Sequence, residues 1–324
     1  MTVLITGAAG FIGFHVSNTL LERGERVLGI DNLDASYDVR LKQTRLEILQ
    51  QKSDFSFLQH DIADESLVDS LSDPDHAIES IVHLAAQSAV RQSLNEPFAY
   101  ARSNIHGHLV CCELARRLQE KDSFKHFVFA STSAVYGGNE QIPSRLEDPA
   151  DSPLSLYGAS KRCDEIITQS YVSLFSIPST GLRFFTVYGT WGRPDMAISL
   201  FTDSILRGRE VVLFNEGEME RDFVYIDDIV DGIVRALDRP PVNEMKLYNL
   251  GSGGTESLGR VVSVLETALD MKASKRLEPL QQGDPVRSYG DISASECDLG
   301  YVPKFSIDKG IPLAVAWYRD FYNI

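Results

Sequence analysis

The chain contains a tyrosine and a lysine with the spacing that acid–base chemistry needs. Tyr157 and Lys161 lie four residues apart at the start of a predicted helix, so their side chains project from one helical face. A lysine ammonium beside a phenol stabilises the phenolate, and a phenolate oxygen can accept the proton of an alcohol. The same spacing also arises by chance on helices, so its meaning depends on the neighbouring motifs.

A run of hydroxyl side chains, Ser131, Thr132 and Ser133, lies upstream of this pair. It follows a predicted strand, which brings the hydroxyls to the carboxyl edge of a parallel sheet, where open α/β folds bind ligands. Thr132 is therefore a candidate to share the alcohol proton with Tyr157. The alternative interpretation is that these hydroxyls satisfy backbone groups at the end of the strand.

A glycine-rich turn near the N-terminus separates a predicted strand from a predicted helix. Gly7, Gly10 and Gly13 allow a sharp turn and a close approach of the backbone to a pyrophosphate. Phe11 and Ile12 begin the helix, whose unpaired N–H groups would face the phosphates. A strand, a glycine turn and a helix in this order predict a dinucleotide site.

An acidic residue at the end of the second predicted strand indicates which dinucleotide is bound. Asp31 lies 18 residues after Gly13, close to the spacing of about 20 in dinucleotide-binding fingerprints. Its carboxylate can accept hydrogen bonds from ribose hydroxyls and would repel a 2′-phosphate, so the sequence favours NAD over NADP. The alternative is that Asp31 caps a turn together with Asn32.

Two further strand ends fit the same site. Asp61 and Ile62 follow the third predicted strand, where a side chain could meet the adenine ring. Leu84, Ala85 and Ala86 end the fourth, where small side chains leave room for a cofactor. Both segments also fit simple packing.

The glycine turn and the Tyr157–Lys161 pair together predict reversible oxidation of an alcohol. Tyr157 would take the hydroxyl proton while the alcohol carbon gives a hydride to NAD, and Lys161 would contact both the phenol and the cofactor. The four cysteines and seven histidines show no metal-ligand spacing, so we expect no metal.

The elements that must position these residues alternate along the first 185 residues. We predict strands at 2–6, 26–30, 54–59, 80–84, 126–130 and 179–184, and helices at 11–23, 66–72, 96–119, 157–174 and 223–237. Such alternation predicts an α/β fold with a Rossmann-type, doubly wound parallel sheet. Residues 1–185, with a returning segment at about 222–250, are predicted to bind NAD. Residues 186–221 and 251–324 are predicted to form a smaller, discontinuous substrate-binding domain.

Composition excludes several classes of function. The 324 residues include 31 Lys and Arg against 46 Asp and Glu, a net charge of −15 that repels nucleic acids and anionic lipids. We therefore expect neither nucleic acid nor a membrane as a partner. No apolar run approaches the ~18–20 residues of a spanning helix, and no basic leader precedes the first strand, so we expect a cytoplasmic protein.

The combined motifs resemble the nucleotide-sugar branch of the extended short-chain dehydrogenase/reductase superfamily. The similarity covers essentially the whole chain and includes the glycine turn, Asp31, the hydroxyl run, the Tyr157–Lys161 pair and residues 221–228. Within that branch, residues 31–42 and 183–197 are similar to the UDP-glucuronate 4-epimerases. The second segment departs from that pattern at Thr190, where proline is expected.

Related activities would need acidic residues that this chain lacks after Thr132. The 4,6-dehydratases of the branch carry Asp-Glu directly after the equivalent hydroxyl, and the uronate decarboxylases carry Glu two places after it. Here Ser133 and Ala134 occupy those positions. The resemblance thus favours epimerisation of UDP-glucuronate to UDP-galacturonate. A UDP-glucose or UDP-N-acetylglucosamine 4-epimerase, a UDP-glucuronate decarboxylase and a non-catalytic NAD-binding scaffold remain as alternatives.

The resemblance also implies how the substrate is held. It assigns Thr186 and Arg193 to the sugar, with Arg193 binding the carboxylate, although Arg193 could instead pair with Asp195 in a turn. The residues implied in binding the diphosphate and the sugar pocket are Arg221, Arg287 and Arg91. It further implies tightly bound NAD that is regenerated in each turnover, and a homodimer formed through the helices at 96–119 and 157–174.

Overall fold

A parallel β-sheet forms the centre of the fold. The computed structural model describes residues 2–121, 124–139, 141–280 and 286–324. The strands within them are β1 (Thr2–Thr6), β2 (Arg26–Asp31), β3 (Phe55–Gln59), β4 (Ile78–His83), β5 (His126–Thr132), β6 (Ser179–Phe184), β7 (Thr186–Tyr188), β8 (Val211–Phe214), β9 (Glu220–Arg221), β10 (Phe223–Tyr225), β11 (Met245–Leu250), β12 (Glu256–Ser257), β13 (Lys275–Glu278) and β14 (Arg287–Ser288).

Helices connect these strands. They are α1 (Phe11–Glu22), α2 (Val39–Gln50), α3 (Ser66–Leu71), α4 (Gln92–Asn95), α5 (Pro97–Tyr100), α6 (Gly107–Gln119), α7 (Leu156–Phe175), α8 (Ala197–Leu206), α9 (Ile226–Leu237), α10 (Leu258–Leu269) and α11 (Ile307–Tyr322). A π-helical segment, Ala101–His106, joins α5 to α6, and a second, Ser295–Leu299, precedes α11. In the described ranges, no helix combines the length and apolar character needed to cross a bilayer.

The central sheet has the strand order β11-β6-β5-β4-β1-β2-β3, and its neighbouring strands run parallel. The order reverses between β1 and β4, which makes the carboxyl edge there the expected ligand-binding crevice. The predicted α/β fold with a doubly wound parallel sheet is thereby confirmed.

The side chains of β1 explain why helices cover both faces of the sheet. Val3 and Ile5 belong to a hydrophobic core shared with α1 and α9, whereas Leu4 belongs to a second core shared with α6. Successive side chains of a strand point to opposite faces, so a strand buried on both sides is apolar throughout.

Residues 186–288 add three small sheets beside the main one. These sheets are β10-β7, β12-β9-β14 and β13-β8. The pairing of β10 with β7 corrects one prediction, because Phe223–Tyr225 is a strand and the helix after it begins only at Ile226. A second correction concerns the helix predicted at 96–119, which is divided into α5, the π-helical segment and α6.

Candidate active site

A cavity of about 690 Å³ lies at the carboxyl edge of the central sheet. This volume is within the ordinary range for small-molecule sites. With the exception of Asp61, the site residues predicted from the sequence line it: Gly7, Gly10, Phe11, Ile12, Gly13, Asp31, Asn32, Ile62, Leu84, Ala85, Ala86, Arg91, Ser131, Thr132, Ser133, Tyr157, Lys161, Thr186, Arg193, Arg221 and Arg287.

The glycine positions of the turn have no room for a Cβ. Gly7 adopts φ +71°, and a Cβ there would lie 2.9 Å from the backbone nitrogen of Ala85. A Cβ on Gly13 would lie 2.0 Å from the carbonyl oxygen of Gly7. Gly10 begins helix α1 without a side-chain cap, so the first N–H groups of the helix keep their capacity to bind an anion.

Asp31 organises the neighbouring loop. Its Oδ2 accepts a hydrogen bond from the Ala9 amide at 3.2 Å, and its Oδ1 accepts one from the Leu33 amide at 2.8 Å. The Lys42 ammonium lies 3.5 Å from Oδ1. The carboxylate thus fixes its own turn, as the alternative interpretation required, and it also lines the cavity at the end of β2.

Asp61 is not among the residues that line the cavity. Its carboxylate pairs with the Arg102 guanidinium at 2.9 Å and accepts a hydrogen bond from the Ala63 amide at 2.9 Å. The next residue, Ile62, does line the cavity. Sequence position alone could not reveal Arg102, which lies 41 residues away in the π-helical segment.

Tyr157 and Lys161 lie in the first turns of α7. The Ser155 hydroxyl caps this helix by accepting a hydrogen bond from the Gly158 amide at 3.0 Å. The Lys161 side chain is only 2% exposed, and its Nζ lies 2.6 Å from Oδ2 of Asp164. Burial raises the pKa of Asp164 to about 6, against the lowering effect of Lys161.

Two buried histidines lie behind Lys161 and remain neutral. Burial lowers the pKa of His83 to about 3 and that of His108 well below its usual range. The Nδ1 atom of His83 lies 2.7 Å from the Thr6 hydroxyl, and His108 Nδ1 lies 3.9 Å from Asp164. Neutral imidazoles at these positions add no positive charge next to the lysine.

The hydroxyl run lines the cavity and also makes hydrogen bonds at the end of β5. Ser131 donates a hydrogen bond to Glu165 at 2.6 Å, and Thr132 accepts one from the Ala134 amide at 3.2 Å. Glu165 also binds the buried Arg183 through two hydrogen bonds of 2.8 Å. These contacts fix the end of β5 and leave the hydroxyl residues in the cavity lining.

Arg193 reaches the cavity from the loop between β7 and α8. Two of its nitrogens donate to the carboxylate of Asp195 at 3.0 and 2.6 Å, so the turn pair considered from the sequence is formed. A third nitrogen donates to the Ser88 hydroxyl. Burial lowers the pKa of Arg193 while Asp195 raises it, with a net rise to which Tyr157 also contributes.

The other predicted cations differ in their surroundings. The Arg91 guanidinium lies 5.1 Å from the centre of the Phe214 ring. Arg221 donates to the Glu220 carbonyl at 2.9 Å, and Arg287 pairs with the Glu220 carboxylate at 2.5 Å. Residues 283–285, quoted with Arg287 in the loop considered for diphosphate binding, lie outside the described residues.

Sequence reasoning missed several residues of the lining. Tyr37 and Lys42 are among them, as are the apolar residues Leu200, Val212 and Phe214. The segment 31–42 was singled out only by resemblance, and no chemical pattern distinguishes the apolar residues from core residues. Their position depends on the small sheets beyond residue 185.

Both the sequence and the fold resemble those of known proteins. Residues 3–251 match the sequence model of the NAD dependent epimerase/dehydratase family. The chain belongs to this family. Over 343 residues it is 40% identical to a Rhizobium meliloti protein described as a probable UDP-glucuronate 4-epimerase, and the match covers 100% of this chain and 98% of the relative.

Two solved structures of the epimerase/dehydratase class also resemble the chain. One is the UDP-glucuronic acid 4-epimerase of Bacillus cereus in complex with UDP-glucuronic acid and NAD. It has a TM-score of 0.91 and 33% identity, and the match covers 99% of this chain and 100% of that one. The other is the UDP-glucose 4-epimerase of Thermotoga maritima with UDP-glucose, with a TM-score of 0.89, 31% identity and the same coverage.

Proposed function

We propose that this chain catalyses the NAD-dependent C4 epimerisation of UDP-glucuronate to UDP-galacturonate through a transient 4-keto intermediate. The observation that carries the proposal is one cavity that joins three features: a glycine turn for a dinucleotide, the Tyr157–Lys161 pair and the guanidinium of Arg193. The full-length similarity to UDP-glucuronate 4-epimerases supports the choice of sugar.

The residues of the glycine turn and the end of β2 fit NAD. The three glycine positions of the turn have no room for a Cβ, and Asp31 lies at the end of β2, where the ribose of a dinucleotide is bound in this fold. We assign Gly7, Gly10 and Gly13 to the pyrophosphate and Lys161 to the nicotinamide end. When bound there, NAD would supply the hydride acceptor and donor for C4 of the sugar.

Tyr157 is the proposed general base for the 4-hydroxyl. Its phenolate oxygen takes the hydroxyl proton as the C4–H bond breaks, and the phenol returns that proton when the ketone is reduced. Lys161 stabilises the phenolate by its positive charge, and Thr132 lies in the hydrogen-bond path of the proton. Hydride leaves one face of C4 and returns to the other, so the ketone has to rotate within the site between the oxidation and the reduction.

Holding the carboxylate is the special demand of this substrate. A 4-keto-uronate is a β-keto acid, which loses CO₂ when its C5–C6 bond aligns with the carbonyl π system. We propose that Arg193 binds the carboxylate and, with Thr186, keeps that bond out of alignment. Arg221 and Arg287 are assigned to the diphosphate, and Arg91 to the sugar pocket.

The residues after Thr132 support epimerisation over two sibling reactions. Ser133 and Ala134 line the cavity where dehydratases and decarboxylases of this branch would carry acids. A serine hydroxyl and an alanine methyl group cannot replace the carboxyl groups that the resemblance expects there for dehydration or decarboxylation.

A UDP-glucose 4-epimerase is the second candidate. The pairing of Arg193 with Asp195 favours it, because a guanidinium already bound to a carboxylate has fewer donors to offer a uronate. The structural similarity to the Thermotoga maritima enzyme is of comparable extent.

We further propose a homodimer in the cytoplasm. Large apolar side chains are exposed on consecutive helices on one side of the sheet, namely Leu94, Phe98, Leu109 and Ile166, and Phe98 is 86% exposed. Burial of such a surface against a second copy would stabilise the pair.

The state of the cysteines supports the cytoplasm as the compartment. All four cysteines are free thiols, as is usual in a reducing compartment. Residues 186–221 and 251–324 are proposed to form the sugar-nucleotide-binding domain.

NMR of the products formed from a panel of UDP-sugars tests the proposed reaction. Purified protein is incubated with UDP-glucuronate, UDP-glucose or UDP-N-acetylglucosamine. We expect UDP-galacturonate from the first and much slower turnover of the others. Faster epimerisation of UDP-glucose would favour the second candidate, and UDP-pentose as the main product would indicate decarboxylation. No turnover of any sugar by NAD-loaded protein would leave a binding scaffold as the better account.

A further inference from the structure

Arg45 is a fully buried arginine whose hydrogen-bond acceptors are all uncharged. It lies in α2 with 0% of its surface exposed. Its Nη1 donates to the Ala9 carbonyl and to the Tyr37 hydroxyl oxygen, each at 2.9 Å, and its Nη2 donates to the Trp191 carbonyl at 2.5 Å. A cation is rarely buried with neutral acceptors, because its desolvation is costly. Such a residue calls for a specific role.

The three acceptors belong to segments that are distant in sequence. Ala9 lies in the glycine turn, Tyr37 precedes α2 and lines the cavity, and Trp191 lies two residues before Arg193. Arg45 therefore joins the cofactor turn to the loop that carries Arg193. The Tyr37 ring extends this connection, since the Arg45 and Arg193 guanidinium carbons lie 5.8 and 5.4 Å from its centre.

The Arg193 loop depends on such contacts for its shape. Trp191 adopts φ +58°, a left-handed conformation that costs energy for a non-glycine residue. Its indole ring packs 5.4 Å from the rings of both Phe14 and Trp317. His15 Nε2 lies 3.0 Å from the carbonyl of Thr190, the residue before Trp191, and this contact also holds the loop. Side chains of other elements, rather than a regular hydrogen-bond ladder, hold this loop in place.

We propose that Arg45 and Tyr37 are positioning residues for Arg193, and that they thereby determine whether the 4-keto intermediate is reduced or loses CO₂. The proposal rests on the proposed function, in which Arg193 binds the carboxylate. Arg45 fixes the loop backbone through Trp191, and the Tyr37 ring fixes the guanidinium. Neither residue is assigned to the reacting atoms.

The competing reaction follows from the chemistry of the intermediate. When the C5–C6 bond aligns with the C4 carbonyl, the bond breaks and its electron pair forms the enolate across C4 and C5. CO₂ leaves, a proton adds at C5, and the ketone is reduced at C4 in the same way as in epimerisation. The product is a UDP-pentose, and the ratio of UDP-pentose to UDP-galacturonate reports how well the carboxylate is held.

The test compares two tyrosine variants that each lose one hydroxyl. Tyr37→Phe keeps the ring beside Arg193 but removes one of the three hydrogen-bond acceptors of Arg45. Tyr171→Phe is the matched control, because its hydroxyl binds Glu113 and it does not line the cavity. The two nucleotide products are measured by NMR or chromatography after turnover of UDP-glucuronate. We expect Tyr37→Phe to raise the pentose-to-galacturonate ratio by roughly threefold to tenfold, the range that corresponds to the net loss of one ordinary hydrogen bond. Tyr171→Phe should keep the wild-type ratio.

A second variant, Arg45→Lys, supports the same test. Lysine retains the positive charge, but its single ammonium group cannot reach the three separate acceptors that the planar guanidinium of Arg45 reaches. The pentose-to-galacturonate ratio should therefore rise further than in Tyr37→Phe. If this variant does not fold, Tyr37→Phe decides the question alone. A wild-type ratio in Tyr37→Phe, or an equal rise in Tyr171→Phe, overturns the proposal. If wild-type protein makes no UDP-galacturonate, the proposed function fails instead. Because the ratio is counted per turnover, a loss of cofactor lowers both products together and does not change it.

Discussion

Lys161 and Arg193 are two cations of the same cavity that are held in different ways. Lys161 lies in α7 and pairs with Asp164, three residues along the same helix, with both side chains almost fully buried. Arg193 lies in a loop and pairs with Asp195, whose side chain is 39% exposed. Its backbone is fixed by contacts from α1, α2 and α11.

The difference shows what a helix and a loop each contribute to a site. On a helix, spacing alone sets which side chains meet, so one local partner is enough to orient Lys161. In a loop, the backbone takes its shape from distant side chains, so the position of Arg193 depends on Arg45 and His15. We therefore expect the reacting end of the site to tolerate distant changes better than the carboxylate-binding end does.

The largest expected effect comes from the helix end of the site. Tyr157→Phe removes the proposed base but leaves the ring and the Lys161–Asp164 pair, so kcat should fall by about 10²- to 10⁴-fold with little change in KM. Steady-state kinetics with UDP-glucuronate measure this. An activity within threefold of wild type would mean that another group takes the proton.

Removal of the Arg193 guanidinium should lower activity less than Tyr157→Phe does, and the loss should depend on which sugar is the substrate. Arg193→Met eliminates the charged hydrogen bonds to the carboxylate, so kcat/KM for UDP-glucuronate should fall by about 10- to 10²-fold. UDP-glucose carries no carboxylate, so its kcat/KM should change much less. Arg207→Met, which breaks a surface pair with Asp203, is the matched control. Equal losses for both sugars would contradict the assignment of Arg193.

The partner of Lys161 provides a pH test of the helix end. The Asp164 carboxylate offsets the ammonium charge, so Asp164→Asn should strengthen stabilisation of the Tyr157 phenolate and move the acid limb of kcat down by about half a pH unit. The pKa of Asp164 is near 6, so variant and wild type should converge below that pH.

The raised pKa of Asp164 also predicts how the stability of the protein depends on pH. A carboxyl whose folded-state pKa lies above its ordinary value of 3.8 contributes stability at low pH and loses it as pH rises through about 6. The melting temperature of Asp164→Asn relative to wild type should therefore increase between pH 4 and pH 6.5. Asp231→Asn, which breaks a partly exposed pair with Arg235, serves as the control for the loss of a carboxylate. A flat difference for Asp164→Asn would contradict its buried titration.

The smallest expected effect lies at the end of the cavity that we propose binds the diphosphate. Arg287 is half exposed and bound to Glu220, so its interaction with a ligand is screened by water. Arg287→Gln should raise KM for the sugar nucleotide by roughly twofold to fivefold without changing kcat. A larger rise than that of Arg193→Met would show that the loop cation is not the main anchor.

The contrast between residues placed by local spacing and residues placed by distant contacts also explains which features the sequence could predict. The strands of the first 185 residues, the glycine turn and Asp31 follow from local patterns, because periodicity and turn chemistry are local properties. Strand β11 was missed, since its mixed polar and apolar residues carry no clear alternation. The contact of Asp61 with the adenine stays a prediction, and its pair with Arg102 could not be read from the sequence because the two residues are 41 positions apart. The roles of Arg45 and Tyr37 arise only from tertiary contacts between segments far apart in sequence.

The net charge of −15 does not describe the site itself. Lys161, Arg193 and Arg287 line the cavity, and each has an acidic partner in the chain. Such pairing keeps the cations oriented in a strongly acidic protein and lets an anionic ligand compete for them.

The fate of the hydrogen at C4 tests the central claim most directly. UDP-glucuronate labelled with deuterium at C4 is converted by purified protein without added NAD, and the product is examined by NMR. The account predicts UDP-galacturonate that retains deuterium at C4, because the same hydrogen leaves and returns within one closed site. Loss of the label to solvent, or inversion at any carbon other than C4, would contradict it.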